Sequence, residues 1–135
     1  MKKLAVVTGA RRGIGLAIAK KLSEMGYALL ICATSPEAHA ALEAVPGAEY
    51  MPCDISDPAA RAALFERVRG YGRLDVLVNN AGVAPLVRMD ILTTTPESVE
   101  RLLRVNLEGT FFMCQAGANL MLELRARGLE DYKPR

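Results

Sequence analysis

Tryptophan is absent from these 135 residues, and Phe, Trp and Tyr together supply only 5% of them. Histidine occurs once, as His39, so neither a His-based catalytic triad nor a His-rich metal site can be assembled. His39 falls in a polar, alanine-rich stretch and reads as a solvated side chain. The three cysteines, Cys32, Cys53 and Cys114, are far apart and form no C-x-x-C pair. Each lies in an apolar neighbourhood, which predicts small buried hydrophobes with reduced thiols and no metal ligation. An excess of charge of one sign is also missing. Lys and Arg number 17 against 15 Asp and Glu, a net charge of +2, so no basic field points to nucleic acid. No apolar run approaches the roughly 18 residues of a membrane span. Met1-Lys2-Lys3 leads directly into a short apolar run, and reading that run as a signal peptide would sacrifice the motif it carries. The expected setting is cytoplasmic. What remains is an ordinary mixture, 51% apolar and 24% charged, long enough for one domain with one core.

The strongest positive feature is Thr8-Gly9-Ala10-Arg11-Arg12-Gly13-Ile14-Gly15. It follows the strand-like run Leu4-Ala5-Val6-Val7 and opens a stretch of helical spacing. The first turn of a helix has backbone N–H groups with no internal partner at the positive end of its dipole. A pyrophosphate can lie there if the main chain comes close, and glycines permit that approach. The spacing is G-x-x-x-G-x-G, distinct from the G-x-G-x-x-G fingerprint. A simple glycine turn is the plainer alternative. The strand before and the helix after favour phosphate binding.

Four apolar strand-like runs recur at similar intervals, Leu4–Thr8, Tyr27–Ala33, Glu49–Cys53 and Leu74–Asn79. Helical periodicity separates them: Ile14, Ile18, Leu22 and Met25 share one face, as do Ala60, Leu64 and Val68. Ser35-Pro36, Asp57-Pro58 and Thr95-Pro96 each place a capping oxygen before a proline, predicting helix starts. Gly26, Gly47 and Gly70 are expected to close the preceding helices. The alternation predicts an α/β fold: a Rossmann-type doubly wound parallel sheet, partial, with strand order 3-2-1-4. The crevice between strands 1 and 4 is then the switch point where ligands bind. The glycine loop ends strand 1 and Asn79-Asn80-Ala81-Gly82 ends strand 4, so two signals converge there. The last helix, Thr95 to Arg127, is apolar on several faces and requires more than one neighbour. Residues 1–127 form the expected dinucleotide-binding domain, and 128–135 read as a polar, loose tail.

Thr8-Gly9-x-x-x-Gly13-Ile14-Gly15, Asp54, Asn79-Asn80-Ala81-Gly82 and Asn106, with Leu107 and Gly109 beside it, together resemble the short-chain dehydrogenase/reductase family. The resemblance covers about Lys3 to Leu122. Within the family the chain is most similar to 3-oxoacyl-(acyl-carrier-protein) reductases. The resemblance implies an oxidoreductase passing hydride between a nicotinamide dinucleotide and a carbonyl substrate. It assigns Gly9, Gly13, Ile14 and Gly15 to the cofactor's phosphates and nicotinamide end, and Asp54 to the adenine amino group. Asn79 is implied as a brace of the sheet, with Asn80, Ala81 and Gly82 passing beside the cofactor. Asn106 matches the Asn of a catalytic Asn-Ser-Tyr-Lys tetrad. Each has a plainer alternative: a turn residue ahead of Asp57-Pro58 for Asp54, an Asn-rich turn for the strand-4 motif, a helix irregularity for Asn106.

Cofactor preference follows from charge. NAD-specific sites carry Asp or Glu after strand 2 to take the ribose hydroxyls. Here that segment is Ala33-Thr34-Ser35. Arg11 and Arg12 stand in the glycine loop, and a guanidinium together with the Thr34 hydroxyl suits a 2′-phosphate. NADP over NAD is the expectation, with a surface arginine as the alternative for Arg12. The family's chemistry also needs a Tyr-x-x-x-Lys pair and a Ser. The residues four positions after Tyr27, Tyr50 and Tyr71 are Ile31, Asp54 and Asp75, and Tyr132 lies too near the end. The chain therefore reads as the N-terminal half of a reductase, with an exposed strand-4 edge, self-association through the long helix and no activity by itself. A non-catalytic nucleotide-binding module and a non-functional gene fragment are the alternatives.

Overall fold

The computed structural model describes residues 1–135. Four strands, β1 (Leu4–Thr8), β2 (Ala28–Ala33), β3 (Glu49–Pro52) and β4 (Val76–Val78), form one parallel sheet in the order β3-β2-β1-β4. The fold class and strand order are those expected from the alternation of periodicities. β1 is fully buried because it is central, flanked by β2 and β4 and covered on both faces. Its side chains divide by the two-residue period. Leu4 and Val6 join a core with Leu64, Phe65 and Val68 of α3 (Pro58–Gly70) and Met113, Leu120 and Leu124 of α5 (Thr110–Ala126). Ala5 and Val7 join a second core with Ala19 of α1 (Gly13–Glu24) and Ala41 of α2 (His39–Ala44). Each large apolar side chain buried in this way contributes about 1.5–3 kcal/mol.

Asp57 and Thr95 cap α3 and α4 (Pro96–Leu103), their side chains accepting from Ala59 N and Ser98 N. The start predicted at Ser35-Pro36 is absent, and α2 begins at His39. The Tyr50 hydroxyl donates to the Ala33 and Ser35 carbonyls, tying this segment to β3 instead of releasing it into a helix. Gly70 lies inside α3, and Gly72 takes the left-handed conformation that ends it. Cys114, on α5, is exposed, not buried. His39 is exposed, its Nε2 2.9 Å from Glu37 Oε2.

The long helix is continuous from α4 to α5, but Arg104–Gly109 forms a π-helical segment between them. Gly109 and Gly117 let it descend onto the sheet. A Cβ at Gly109 would lie 2.9 Å from Ile55, and one at Gly117 would lie 2.6 Å from Leu77. No helix is long and apolar enough to cross a membrane.

The segment after α5 corrects the expectation of a loose tail. Tyr132 is buried in the core, its hydroxyl bonded to the Leu74 carbonyl. Arg135 N donates to Asp75 O at 2.8 Å and Leu77 N donates to Arg135 O at 2.9 Å. These two bonds place Arg135 beside β4 in parallel register, so the edge expected to be bare is partly covered.

Candidate functional site

At the C-terminal ends of the strands lies a cleft of about 610 Å³. Its walls come from the glycine loop, the ends of β2 and β3, the loop after β4, and α4. Of the sequence-predicted residues it gathers Gly9, Arg11, Arg12, Thr34, Asp54, Ala81 and Gly82. Gly13, Ile14, Gly15, Asn80 and Asn106 do not line it directly.

The glycine loop is shaped by two left-handed residues, Gly9 at φ +63° and Gly13 at φ +59°. Gly15 serves a different purpose. A Cβ there would stand 2.3 Å from the Gly9 carbonyl oxygen and 2.5 Å from Asn80 Nδ2. The start of α1 is thus pressed against both loops of the switch point. Arg12 occupies the cap position of α1 with extended backbone, and no side chain caps the helix. No acidic residue sits in the first turn. The positive end of α1 therefore keeps its N–H donors free of protein partners, the arrangement an anion favours.

The loop after β4 is fixed from two sides. Thr8, fully buried at the end of β1, accepts from Asn80 N at 3.1 Å and Ala81 N at 3.0 Å through its hydroxyl. Asn80 Nδ2 donates to the Thr8 and Gly9 carbonyls at 3.2 and 3.1 Å. The brace of the sheet is therefore Asn80 with Thr8, where Asn79 had been expected. Asn79 instead donates to Cys114 Sγ at 3.2 Å, and its Oδ1 is buried without a partner. The signal for Thr8 was available as a hydroxyl placed last in an otherwise apolar central strand. From the other side, Asn106 Oδ1 accepts from Val83 N at 2.7 Å and its Nδ2 donates to Val83 O at 2.8 Å. This two-point clamp springs from the π-helical segment, a geometry frequent at functional positions. It bears on Gly82, where a Cβ would lie 3.2 Å from Asn106 Oδ1. Arg101 Nη1 adds a bond to Ala84 O at 3.0 Å.

At the far end of the cleft, Asp54 Oδ1 accepts from Ser56 N and Ser56 Oγ at 2.9 and 2.7 Å. The turn alternative for Asp54 is thus present in one oxygen, while Oδ2 carries none of these bonds. Thr34 and Ser35 follow β2 with no carboxylate beside them. Burial raises the Tyr50 hydroxyl above its usual pKa, and the nearby Arg11 opposes this. Sequence reasoning missed the α4 side of the cleft, where Glu97, Glu100, Arg101 and Arg104 face in. Nothing in the pattern of an exposed amphipathic helix marks which charged side chains turn toward a crevice.

Residues 3–129 match the family model described as short chain dehydrogenase. The chain belongs to the short-chain dehydrogenase family. It is 39% identical over 127 residues to a D-threitol dehydrogenase of Mycolicibacterium smegmatis, covering 90% of this chain and 48% of that protein. It is 39% identical over 115 residues to an L-fucose dehydrogenase of Oryctolagus cuniculus, covering 84% of this chain and 40% of that protein. Among solved structures, a 3-oxoacyl-(acyl-carrier protein) reductase from Brucella melitensis in complex with NAD superposes with a TM-score of 0.81 at 34% identity, over 90% of this chain and 50% of that one. A metagenomic short-chain oxidoreductase in complex with NADP gives 0.82 at 38% identity, over 90% and 57%. The chain spans about half the length of these short-chain dehydrogenases, and such relatives bind either dinucleotide.

Proposed function

We propose that this chain is the dinucleotide-binding part of an oxidoreductase that interconverts a carbonyl, of 3-oxoacyl type, and an alcohol, with NADPH preferred to NADH. The observation that carries this reading is the uncapped start of α1, held by Gly15 against the Gly9 and Asn80 loops at one end of the cleft. The nicotinamide supplies or accepts the hydride when the cofactor is bound. Main-chain donors of Gly9, Gly13, Ile14 and Gly15 hold the diphosphate. Asp54 accepts from the adenine amino group through its Oδ2. Arg11, Arg12 and Thr34 take the 2′-phosphate, an assignment supported by two guanidinium groups and a hydroxyl where a carboxylate would repel it. Ala81 and Gly82 form the wall beside the nicotinamide half, Asn80 holds that wall to the glycine loop, and Asn106 positions it through Val83. The functional form is a homo-oligomer working in the cytoplasm. The exposed apolar residues Leu103, Leu107 and Phe111 along the long helix support self-association, and three free cysteines suit a reducing compartment.

A second reading, a nucleotide-binding module that does no chemistry by itself, is favoured by the tyrosines. The hydroxyls of Tyr50, Tyr71 and Tyr132 are all bonded within the fold, and Tyr27, Tyr50 and Tyr71 are followed four positions on by Ile31, Asp54 and Asp75, not Lys. Titration of the folded chain with NADPH and NADH tests both readings. The expected result is NADPH binding about tenfold or more tighter than NADH, a charge-assisted contact's worth, a preference erased in Arg12→Glu, and no carbonyl turnover. Tighter NADH binding would overturn the preference. Absence of binding by either dinucleotide to a folded sample would overturn the function, and turnover by the mass-verified chain would overturn the second reading.

A further inference from the structure

The cleft wall contains two thiols that the reading above does not use. Cys32 is the last residue of β2's buried run and is fully buried, while Cys53 follows β3 and is 4% exposed. Cys32 stands opposite Met51 in the parallel ladder. Cys53 lies two residues beyond Met51, and its N–H donates to Ala33 O at 2.8 Å. By the two-residue period Cys53 therefore points to the same face as Cys32, diagonally across the strand pair. Both side chains belong to one core cluster, and both line the cleft. The two thiols are close enough for each to shift the other's ionisation, and the Gly9 backbone also bears on the Cys32 thiol. The backbone at Cys32 is tied to the glycine loop as well, since Ala10 N donates to Cys32 O at 3.1 Å. Cys53 immediately precedes Asp54. The pair thus joins the phosphate end of the cleft to its adenine end.

We propose that Cys32 and Cys53 form a reversible redox switch, in which a disulfide between them distorts the glycine loop and lowers affinity for the dinucleotide. Where the loss is read as NADP affinity, the inference rests on the proposed function. Cys53 is the attacking thiol. It is the less buried of the two, and the Cys32 thiol and the nearby Arg61 favour its thiolate. The oxidant is a hydroperoxide, small enough to enter the cleft. The Cys53 thiolate attacks one peroxide oxygen, the O–O bond breaks, and the departing alkoxide or hydroxide takes a proton, leaving Cys53 as a sulfenic acid. The Cys32 sulfur then displaces the sulfenic hydroxyl, which leaves as water with the Cys32 proton. Two thiols are oxidised and one peroxide is reduced.

The test uses the full chain carrying Cys114→Ser, which removes the one exposed thiol. Treatment with hydrogen peroxide is followed by peptide mapping, amide hydrogen exchange and NADPH titration, with circular dichroism confirming that the fold persists. The expected results are a Cys32–Cys53 cross-linked peptide, faster exchange at Gly9 and Ala10, and an NADPH affinity lowered about tenfold, roughly the worth of one hydrogen bond. A thiol reductant reverses all three, and Cys32→Ala abolishes the cross-link and its reversibility. Oxidation that stops at sulfinic acid on Cys53, or a cross-link that leaves exchange at Gly9 and Ala10 unchanged, would overturn the switch. If the reduced protein binds neither dinucleotide, the proposed function falls, while the cross-link and the exchange at Gly9 and Ala10 still decide the switch.

Discussion

A methyl group at Gly15 would sit 2.3 Å from the Gly9 carbonyl oxygen, far inside contact distance. Helix propensity alone favours alanine over glycine there by about 1 kcal/mol. The collision outweighs it, because the carbonyl belongs to a loop held by Asn80 and cannot retreat without disturbing the switch point. Gly15→Ala should destabilise the fold by about 1–3 kcal/mol, the usual cost of overpacking, visible as a lowered thermal midpoint, and should weaken dinucleotide binding. Gly13 provides the contrast. Nothing lies within 4 Å of a Cβ at that position, and only its φ of +59° restricts substitution. Asn accepts left-handed backbone, so Gly13→Asn should leave the midpoint nearly unchanged. Equal losses for the two variants would refute this division of labour. The sequence shows three glycines at a phosphate-binding spacing, and that much was legible. Which one turns the chain and which one makes room depends on Asn80, which is distant in sequence, and so was not.

Among elements, the same boundary separates local from long-range information. The Asp57 and Thr95 caps were legible because capping acts over three residues. The π-helical segment around Asn106 was not, since it is stabilised by a clamp on Val83, 23 positions away. Nor was the bridge from β3 to α3, where both carboxylate oxygens of Glu49 accept from Arg67, at 2.7 and 2.6 Å, and Tyr71 adds a third bond. Arg67 holds the Glu49 carboxyl below its usual pKa, with Tyr71 assisting. A carboxyl depressed in the folded state contributes stability above its unfolded value, near 4.3, and that contribution is lost as pH falls through the lower folded value. Glu49→Gln should therefore flatten the fall in thermal midpoint below about pH 4.3. The effect should stay under about 1 kcal/mol, because the carboxylate is one-third exposed and screened. An acid limb as steep as that of the parent would show that the bridge is energetically silent.

For the whole molecule, the strand order followed from alternating periodicities, because each β-α unit buries its own face and right-handed crossovers leave few arrangements. The last eight residues resisted the same treatment. Composition alone marks Glu130, Asp131, Lys133 and Arg135 as solvent-seeking, and outvotes one tyrosine. Position decides otherwise. Gly128 and Asp131, both at positive φ, turn the chain back under the sheet. Leu129 then packs against the core and Tyr132 enters it. Tyr132 belongs to the core cluster that also holds Leu64 and Phe65, while its hydroxyl satisfies the Leu74 carbonyl just before β4. Only with that anchor in place can Arg135 pair with Asp75 and Leu77. Tyr132→Ala should consequently cost about 3 kcal/mol in urea unfolding, as expected when a large aromatic leaves a core. Tyr132→Phe should cost only about 1 kcal/mol, the loss of one hydrogen bond. In the alanine variant the Leu77 amide, which donates to Arg135, should exchange with solvent well before the amides of β1. A free tail would predict changes within about 0.5 kcal/mol for both substitutions and unaltered exchange at Leu77. The ordering of the three measurements therefore distinguishes an anchored β4 edge from a bare one.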